Sequence, residues 1–162
     1  MPSCLARRKR HANIPCKVET QTLNRPRRGS LLGVPDMPIR YERDDARQRI
    51  RVTLTDPLTE AEITSAIDRQ AAEGTWRYGL LYDARVINSR AAAAMSRVAL
   101  NRVRAVVERE GRRGPVAIVA NATLVGISEA YAIESHKAGR TVQVFWSLDE
   151  ANEWLDQQLQ AL

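Results

Sequence analysis

Residues 78–83 read YGLLYD and residues 115–120 read PVAIVA, and these two apolar runs decide the fold. Each run has the length of a strand, and neither alternates between apolar and polar side chains. A short continuous apolar run is typical of a strand that is covered on both faces, as in the interior of a parallel sheet. The two runs therefore predict the inner strands of an α/β domain.

A hairpin is predicted before these strands. Residues 39–43 form a short strand pattern, residues 44–46 read DDA and predict a polar turn, and residues 49–55 read RIRVTLT. In this last segment Ile50, Val52 and Leu54 alternate with polar side chains, which is the period of a half-buried strand. Residues 141–146, TVQVFW, predict a last strand near the end of the chain.

Four helices are predicted between and after the later strands. The spacing of Thr59 and Glu62 predicts a capping box that opens a helix, which ends near Glu73 before Gly74. A long second helix is predicted over residues 90–110, and its expected buried stripe is Met95, Val98, Ala99, Val103, Val106 and Val107.

The third helix is predicted over residues 124–138, with Asn121 and Thr123 as candidate caps. The fourth helix begins at a second capping box, formed by Ser147 and Glu150. The element order is therefore ββαβαβαβα. A leading hairpin followed by βα units predicts a mixed five-stranded sheet, antiparallel at one edge and parallel within, with about four helices on its faces.

This order and several local strings resemble the SpoIIAA-like branch of the STAS superfamily, which includes the anti-sigma-factor antagonists. The resemblance covers about residues 38–160. It rests on the strand at 49–55, on YGLLYD and PVAIVA, and on residues 142–145, VQVF, followed by DEA at 149–151 and WL at 154–155. It implies a compact STAS-like fold with five strands and four helices, and it supplies no defined biochemical activity.

The resemblance also implies a candidate phosphorylation site. Anti-sigma-factor antagonists carry a phosphorylatable serine at the start of the helix after the central strand, and Asn88-Ser89 is the nearest equivalent here. The family string Asp-Ser-Ser-Gly is absent, and Arg90 stands where its glycine-flanked turn would be. The alternative is that Asn88 or Ser89 simply caps the helix.

A binding site is expected at the carboxyl edge of the sheet, where ligands of α/β domains bind. Asp83 ends an apolar strand and should lie at that edge. We expect contacts through the loops at 83–90 and 121–126, with Asp83, Asn88, Ser89, Arg90 and Asn121 as candidate binding residues. The alternative for Asp83 is a loop carboxylate that accepts backbone N–H groups or pairs with Arg85.

No catalytic constellation is predicted, and neither a metal site nor a cofactor. A receiver domain needs an acidic pair after its first strand, where this chain has Pro57 and Leu58. The chain lacks the Gly-x-Ser-x-Gly elbow of a hydrolase, a phosphate loop and a dinucleotide fingerprint. His136 falls near a predicted helix end, where a cation is favourable to the helix dipole.

Net charge separates a tail from the domain. The chain has 162 residues and a net charge of +6. Residues 37–162 hold 17 basic and 17 acidic residues, so their charges cancel and residues 1–36 supply the whole excess. Residues 1–36 predict a disordered tail. The tail either contacts nucleic acid or an acidic partner through residues 7–10 or is a non-native extension from a misplaced start codon. The balanced domain predicts no nucleic-acid binding.

Cellular location and source are also predicted. Cys4 and Cys16 lie in the tail and match no zinc or redox motif, which favours a reducing compartment. No apolar run is long enough for a membrane span and no secretory signal is recognisable, so a cytoplasmic location is expected. Arginine outnumbers lysine 22 to 3, which indicates a GC-rich, bacterial genome.

The leading functional hypothesis is a non-enzymatic regulatory domain for protein–protein interaction or small-ligand sensing. The alternative is a carrier that holds a small apolar ligand or lipid between the long helix and the sheet, where Met95 and the alanines at 91–94 leave room. A minimal enzyme whose polar groups converge only in three dimensions is a third hypothesis. Homodimerisation through an exposed helix or edge strand is also expected. Arg90, Arg97 and Arg104 recur every seven residues, as either a basic contact stripe or a solvated face.

Overall fold

The structure is a computed structural model that describes residues 38–161. The predicted tail at 1–36, with Cys4 and Cys16, lies outside the described residues. The elements are β1 (Ile39–Asp44), β2 (Arg49–Leu54), α1 (Glu60–Ala72), β3 (Gly79–Asp83), α2 (Ser89–Glu110), β4 (Val116–Val119), α3 (Val125–Lys137), β5 (Val142–Phe145) and α4 (Leu148–Gln160). This order confirms the predicted one.

The strands form one five-stranded sheet in the order β1-β2-β3-β4-β5. β1 and β2 are antiparallel, with Ile39 opposite Leu54, and the other neighbours are parallel. The predicted mixed sheet with an antiparallel edge is therefore confirmed. Every carboxyl end from β2 to β5 lies at the same edge of the sheet, and the loops after β2, β3 and β4 meet there.

The two apolar runs are inner strands, as predicted. Leu80 and Leu81 in β3 are buried, and all four residues of β4 are buried. Parallel pairing places Leu80 beside Val116. Such strands have helices on both sides, which explains why their sequence shows no polar alternation.

The helices are shared unequally between the two faces. One face carries the larger core, to which α1, α2 and α3 contribute, and we call it the three-helix face. On the other face α4 packs over β3, β4 and β5, through Leu81, Ala117, Val119, Phe145, Ala151 and Leu155. On this second face Arg51 of β2 is exposed, and Arg49 beside it reaches Asn152 and Asp156 of α4.

The predicted caps are confirmed at α1, only in part at α4, and not at α3, where Leu124 is the N-cap residue and neither Asn121 nor Thr123 is. The Thr59 hydroxyl accepts the N–H of Glu62, and the Glu62 carboxylate accepts the N–H of Thr59, which completes the capping box. At α4 the Ser147 hydroxyl accepts the N–H of Asp149, and the reciprocal bond from Glu150 is not formed. The prediction of a full box was wrong there because the serine bonds one residue earlier.

Packing along α2 is uneven. Val103 and Val106, in its second half, are fully buried against the sheet. No side chain at residues 91–100 is fully buried, and Met95, Val98 and Ala99 of the predicted stripe are half-buried. The prediction of a uniformly buried stripe was therefore wrong, because the first half of α2 lies over a pocket that its side chains do not fill. None of the helices at residues 38–161 combines the length and apolar character that crossing a membrane requires.

Candidate functional site at the carboxyl edge

Asp83 ends β3 at the carboxyl edge and is held by two arginines. Arg85 donates from Nε to Oδ1 at 2.8 Å and from Nη2 to Oδ2 at 2.9 Å, and Arg51 donates to Oδ2 at 3.2 Å. The hydrogen bonds from Arg85 lower the pKa of the Asp83 carboxyl, against the opposing effect of partial burial. Pairing with Arg85, the alternative given by the sequence, is confirmed, and a ligand or partner contact at Asp83 stays a prediction.

Asn121 follows β4 and joins two loops. Its Oδ1 accepts the N–H groups of Thr123 at 2.9 Å and Leu124 at 3.0 Å, so it shapes the turn that leads into α3. Its Nδ2 donates to the carbonyl of Arg85 at 2.6 Å. Asn121 and Asp83 are thus brought together through Arg85, as neighbours in one bonded network.

Asn88 caps α2. Its Oδ1 accepts the N–H of Ala91 at 3.0 Å, and its backbone N–H and Nδ2 donate to Asp56 Oδ2 at 2.9 and 2.8 Å. The capping alternative is confirmed for Asn88. Ser89 is the first residue of α2, and its side chain lies outside the part of the chain that the structure describes, so its phosphorylation stays a prediction. Arg90 is exposed on the first turn.

An apolar pocket lies at the same edge, on the three-helix face. It is a cavity of about 90 Å³. Its floor is the sheet at Leu54, Tyr82 and Ile118, and the residues after the strands, among them Leu58 and Ala84, close its carboxyl end. The pocket therefore lies at the edge where this class of fold binds ligands, between α2 and the sheet, and it is partly open to solvent.

The first half of α2 forms the roof of this pocket. Ala92, Met95, Ser96 and Ala99 follow the i, i+3, i+4, i+7 spacing of one helix face. All four are half-buried, and three of them, Ala92, Ser96 and Ala99, have small side chains that leave the space below them unfilled. The opposite wall is α3, through residues 127, 128 and 131.

The lining has hydroxyl groups but no ionisable acid or base other than tyrosine. Ser96 donates to the carbonyl of Ala92 at 2.8 Å, so its hydroxyl is already bonded within the helix. Burial raises the pKa of Tyr131, with Arg113 acting in the opposite direction, and the phenol stays neutral. Such a lining accepts an uncharged apolar group. Among residues 38–161, no three His, Cys, Asp or Glu side chains come together as metal ligands do.

The sequence pointed to Met95 and to the alanines at 91–94, of which Ala92 lines the pocket, and it missed the floor and the far wall. Leu58, Tyr82 and Tyr131 belong to three different elements, so periodicity within one element could not group them. One signal was available, because Leu58 and Leu124 are apolar residues placed shortly after a strand ends. By contrast, the predicted contacts Asp83, Asn88 and Asn121 use their polar atoms within the protein.

Comparison of the chain with protein-family models, with curated proteins and with solved structures found no match.

Proposed function

We propose that this domain binds a small apolar ligand in the pocket beneath the first half of α2. The observation that carries the proposal is the combination of a cavity of about 90 Å³ with a roof of half-buried apolar residues. Interiors are normally filled to crystal-like density, so an apolar space under a helix that is tightly packed only at its other end favours an occupant.

The cavity volume limits the ligand. An apolar cavity of about 150 Å³ holds benzene, so 90 Å³ accepts a smaller group, such as a short alkyl or acyl chain. Burial is worth about 0.8 kcal/mol for each CH₂ group. A four-carbon chain therefore gains roughly 3 kcal/mol, which by itself corresponds to millimolar or weaker binding. Tighter binding requires a longer ligand that the first half of α2 moves to cover.

Ligand binding beneath α2 suits a sensor. A ligand that fills the pocket would bury Met95 and Ala99 and so draw the first half of α2 toward the sheet. That movement would reach Asn88 at the start of α2, which is bonded to Asp56 on a different loop. The carrier alternative uses the same pocket. It differs from the sensor because ligand binding would not need to move the first half of α2. The STAS resemblance stays a hypothesis, supported by the order of elements and the strand strings.

Titration of the full chain with 1-butanol, 1-pentanol and 1-hexanol, followed by ¹H–¹⁵N NMR, tests the pocket. We expect saturable shifts for residues 92–99 and affinity that rises with chain length. Ala99→Leu fills the space and should abolish these shifts, whereas Ala94→Leu, on the exposed side of α2, should bind as the parent does. Equal binding by the parent and Ala99→Leu would contradict the proposal. Native mass spectrometry of freshly purified protein separates carrier from sensor, because a carrier co-purifies with its lipid.

A second candidate is protein–protein regulation at the carboxyl edge. Val86 is 66% exposed and Trp146 is 60% exposed. Both flank Asn121, because its side chain bonds the carbonyl of Arg85 and the preceding Ala120 bonds the carbonyl of Phe145. Two large apolar side chains at one polar edge are typical of a contact surface.

Affinity capture with the full chain tests this surface. The double variant Val86→Ser with Trp146→Ser should lose a partner that the parent retains, whereas Ile133→Ser, at an exposed position of α3, should retain it. Loss of the same partner from both variants would count against a specific surface.

A homodimer and a cytoplasmic location stay predictions. A light-scattering mass equal to one chain would contradict the homodimer.

A further inference from the structure

Arginines without acidic partners gather at the opposite, amino edge of the sheet. Arg113 precedes β4, Arg140 precedes β5, and Arg104 lies in the second half of α2. Within residues 38–161, none of these three has a carboxylate oxygen within 4 Å. On the same α2 helix, by contrast, Arg102 is paired with Asp68 at 2.6 Å.

The pairing of β4 with β5 brings together the segments that precede these two strands and carry Arg113 and Arg140. Val116 lies opposite Val142, and the N–H of Val116 donates to the carbonyl of Thr141 at 2.9 Å. The segments that hold Arg113 and Arg140 are therefore neighbours. The backbone N–H of Arg140 also donates to the carbonyl of Ser135 at 3.0 Å, which ties Arg140 to the end of α3.

Two polar atoms at this position are buried without a hydrogen-bond partner. Ser135 is 0% exposed, and its Oγ meets no partner at full hydrogen-bond geometry among the described residues, although it lies close enough to the Tyr131 hydroxyl to lower the pKa of that phenol. The Nε of Arg140 is likewise buried and unpartnered. Buried polar atoms are nearly always hydrogen-bonded, and each exception requires an explanation such as a bound ion.

Arg113 is a buried cation with neutral partners only. It is 6% exposed, its Nε and Nη2 both donate to the amide oxygen of Gln70, and its guanidinium lies 4.7 Å from the centre of the Trp76 ring. An amide and an aromatic ring satisfy some of its N–H groups without balancing its charge. Burial lowers the pKa of Arg140, Tyr131 acts in the opposite direction, and Arg113 and Arg104 lower the pKa further, as expected where cations lie together.

We propose that Arg113, Arg140 and Ser135 form a binding site for an oxyanion, either a phosphate or a carboxylate group. Guanidinium groups bind such anions through charge-assisted hydrogen bonds, and a serine hydroxyl adds a neutral donor. The anion would use the unpartnered Nε of Arg140 and the unpartnered hydroxyl of Ser135 and would balance the buried charge of Arg113. Arg104 is exposed and stands on the solvent side of this site.

Tyr131 lines the apolar pocket and also lies near Arg113 and Arg140, so the pocket and the arginine site are close to each other. The oxyanion therefore has two candidate sources. It is either a free phosphate group or the carboxylate head of the ligand whose chain fills the pocket. The second source rests on the function proposed above, and the first does not.

Titration of the full chain with inorganic phosphate and with hexanoate, at constant ionic strength, tests the site by ¹H–¹⁵N NMR. At least one probe should give saturable shifts at Ser135 and Arg140. Arg140→Gln should weaken that binding at least tenfold. Ser135→Ala removes only one hydroxyl from a folded core and should weaken it severalfold. Arg97→Gln, which removes an exposed positive charge from α2, should leave it unchanged.

The pocket variant Ala99→Leu assigns the source. If phosphate still binds to Ala99→Leu, the oxyanion is a free anion. If hexanoate binding is lost in both Ala99→Leu and Arg140→Gln, the oxyanion is the carboxylate head of the ligand whose chain fills the pocket. The site is refuted if neither probe saturates in the parent, or if Arg97→Gln weakens binding as much as Arg140→Gln does. Binding of 1-hexanol that persists in Arg140→Gln keeps the pocket proposal standing in either case.

Discussion

Replacing Gly114 with alanine should destabilise the protein by about 3 kcal/mol, the upper part of the usual range for overpacking. A Cβ atom at this position would lie 2.3 Å from the carbonyl oxygen of Tyr78 and 2.4 Å from that of Arg77. These are backbone atoms, so no side-chain rotation relieves the clash. The backbone there is fixed, because the N–H of Tyr78 donates to Thr75 and the N–H of Gly114 donates to the carbonyl of Trp76, both at 3.0 Å.

The same substitution at Gly126 is the matched control. Gly126 lies in the first turn of α3, and a Cβ there meets nothing within 4 Å. Alanine at this position should stabilise the protein by about 0.5–1 kcal/mol, since it restricts the unfolded chain and favours the helix. The two glycine variants should therefore shift stability in opposite directions.

Urea unfolding at 25 °C, followed by far-ultraviolet circular dichroism, measures both effects. With slopes of about 1–3 kcal/mol per molar urea, Gly114→Ala should lower the midpoint by roughly 1–3 M, and Gly126→Ala should raise it by less than about 1 M. A Gly114→Ala protein that unfolds at the parental midpoint would refute the close approach of residue 114 to residues 77 and 78.

Three other substitutions test further contacts. Because the pKa of Asp83 is lowered in the folded state, its contribution to stability should be complete above about pH 4 and should fall as the pH drops through the lowered pKa. The stability difference between the parent and Asp83→Asn should therefore shrink from pH 5 to pH 2, and a difference independent of pH would exclude the ion pair as its cause. Arg49→Met should cost about 1–3 kcal/mol, because the Arg49 side chain is 7% exposed and bonds Asn152 and Asp156, whereas Arg40→Met, at an exposed ion pair, should change stability by less than about 0.5 kcal/mol. Equal effects in urea unfolding would contradict the assigned burial. Asn88→Ala should lower the stability by about 1 kcal/mol through loss of the α2 cap, and Asn88→Ser should restore part of this stability. If serine restores none of it, the bond to Asp56 is the larger contribution of Asn88.

The order of elements along the chain was predictable because each strand has a local sequence pattern. The apolar runs at Leu80–Leu81 and Val116–Val119 have the length of strands, and helices cover both of their faces. The alternation at Ile50, Val52 and Leu54 indicates a strand with one covered face. The capping residues Thr59 and Asn88 were also visible, because a cap involves residues only three positions apart.

The incomplete burial of the first half of α2 was not predictable from the same kind of pattern. Helical periodicity shows which side of a helix faces the core, but it does not give the distance between helix and sheet. Met95 and Val103 belong to one predicted stripe, yet only Val103 is fully buried. The distance depends on what other elements place beneath the helix, and here that includes Tyr82 of β3 and Ile127 of α3.

Asp83, Asn88 and Asn121 lie at the carboxyl edge as predicted, but their hydrogen bonds depend in part on contacts distant in sequence. Pairing of Asp83 with Arg85 spans two residues and was foreseen as an alternative. The bond from Asn121 to Arg85 spans 36 residues, and the bond from Arg113 to Gln70 spans 43. Single-sequence patterns carry no information about such pairs, so neither the loop network nor the arginine site could be foreseen.

The uneven packing of α2 has a consequence for the exchange of its amide protons. Backbone hydrogen bonds around Val103 and Val106 can break only when the core opens, so their amides should exchange at the rate of global unfolding. Those between Ala92 and Leu100 need only a local opening, and they should exchange much faster in the unliganded protein. A single continuous helix would then contain two kinetic classes of amide, and occupancy beneath it would slow the faster class toward the slower one.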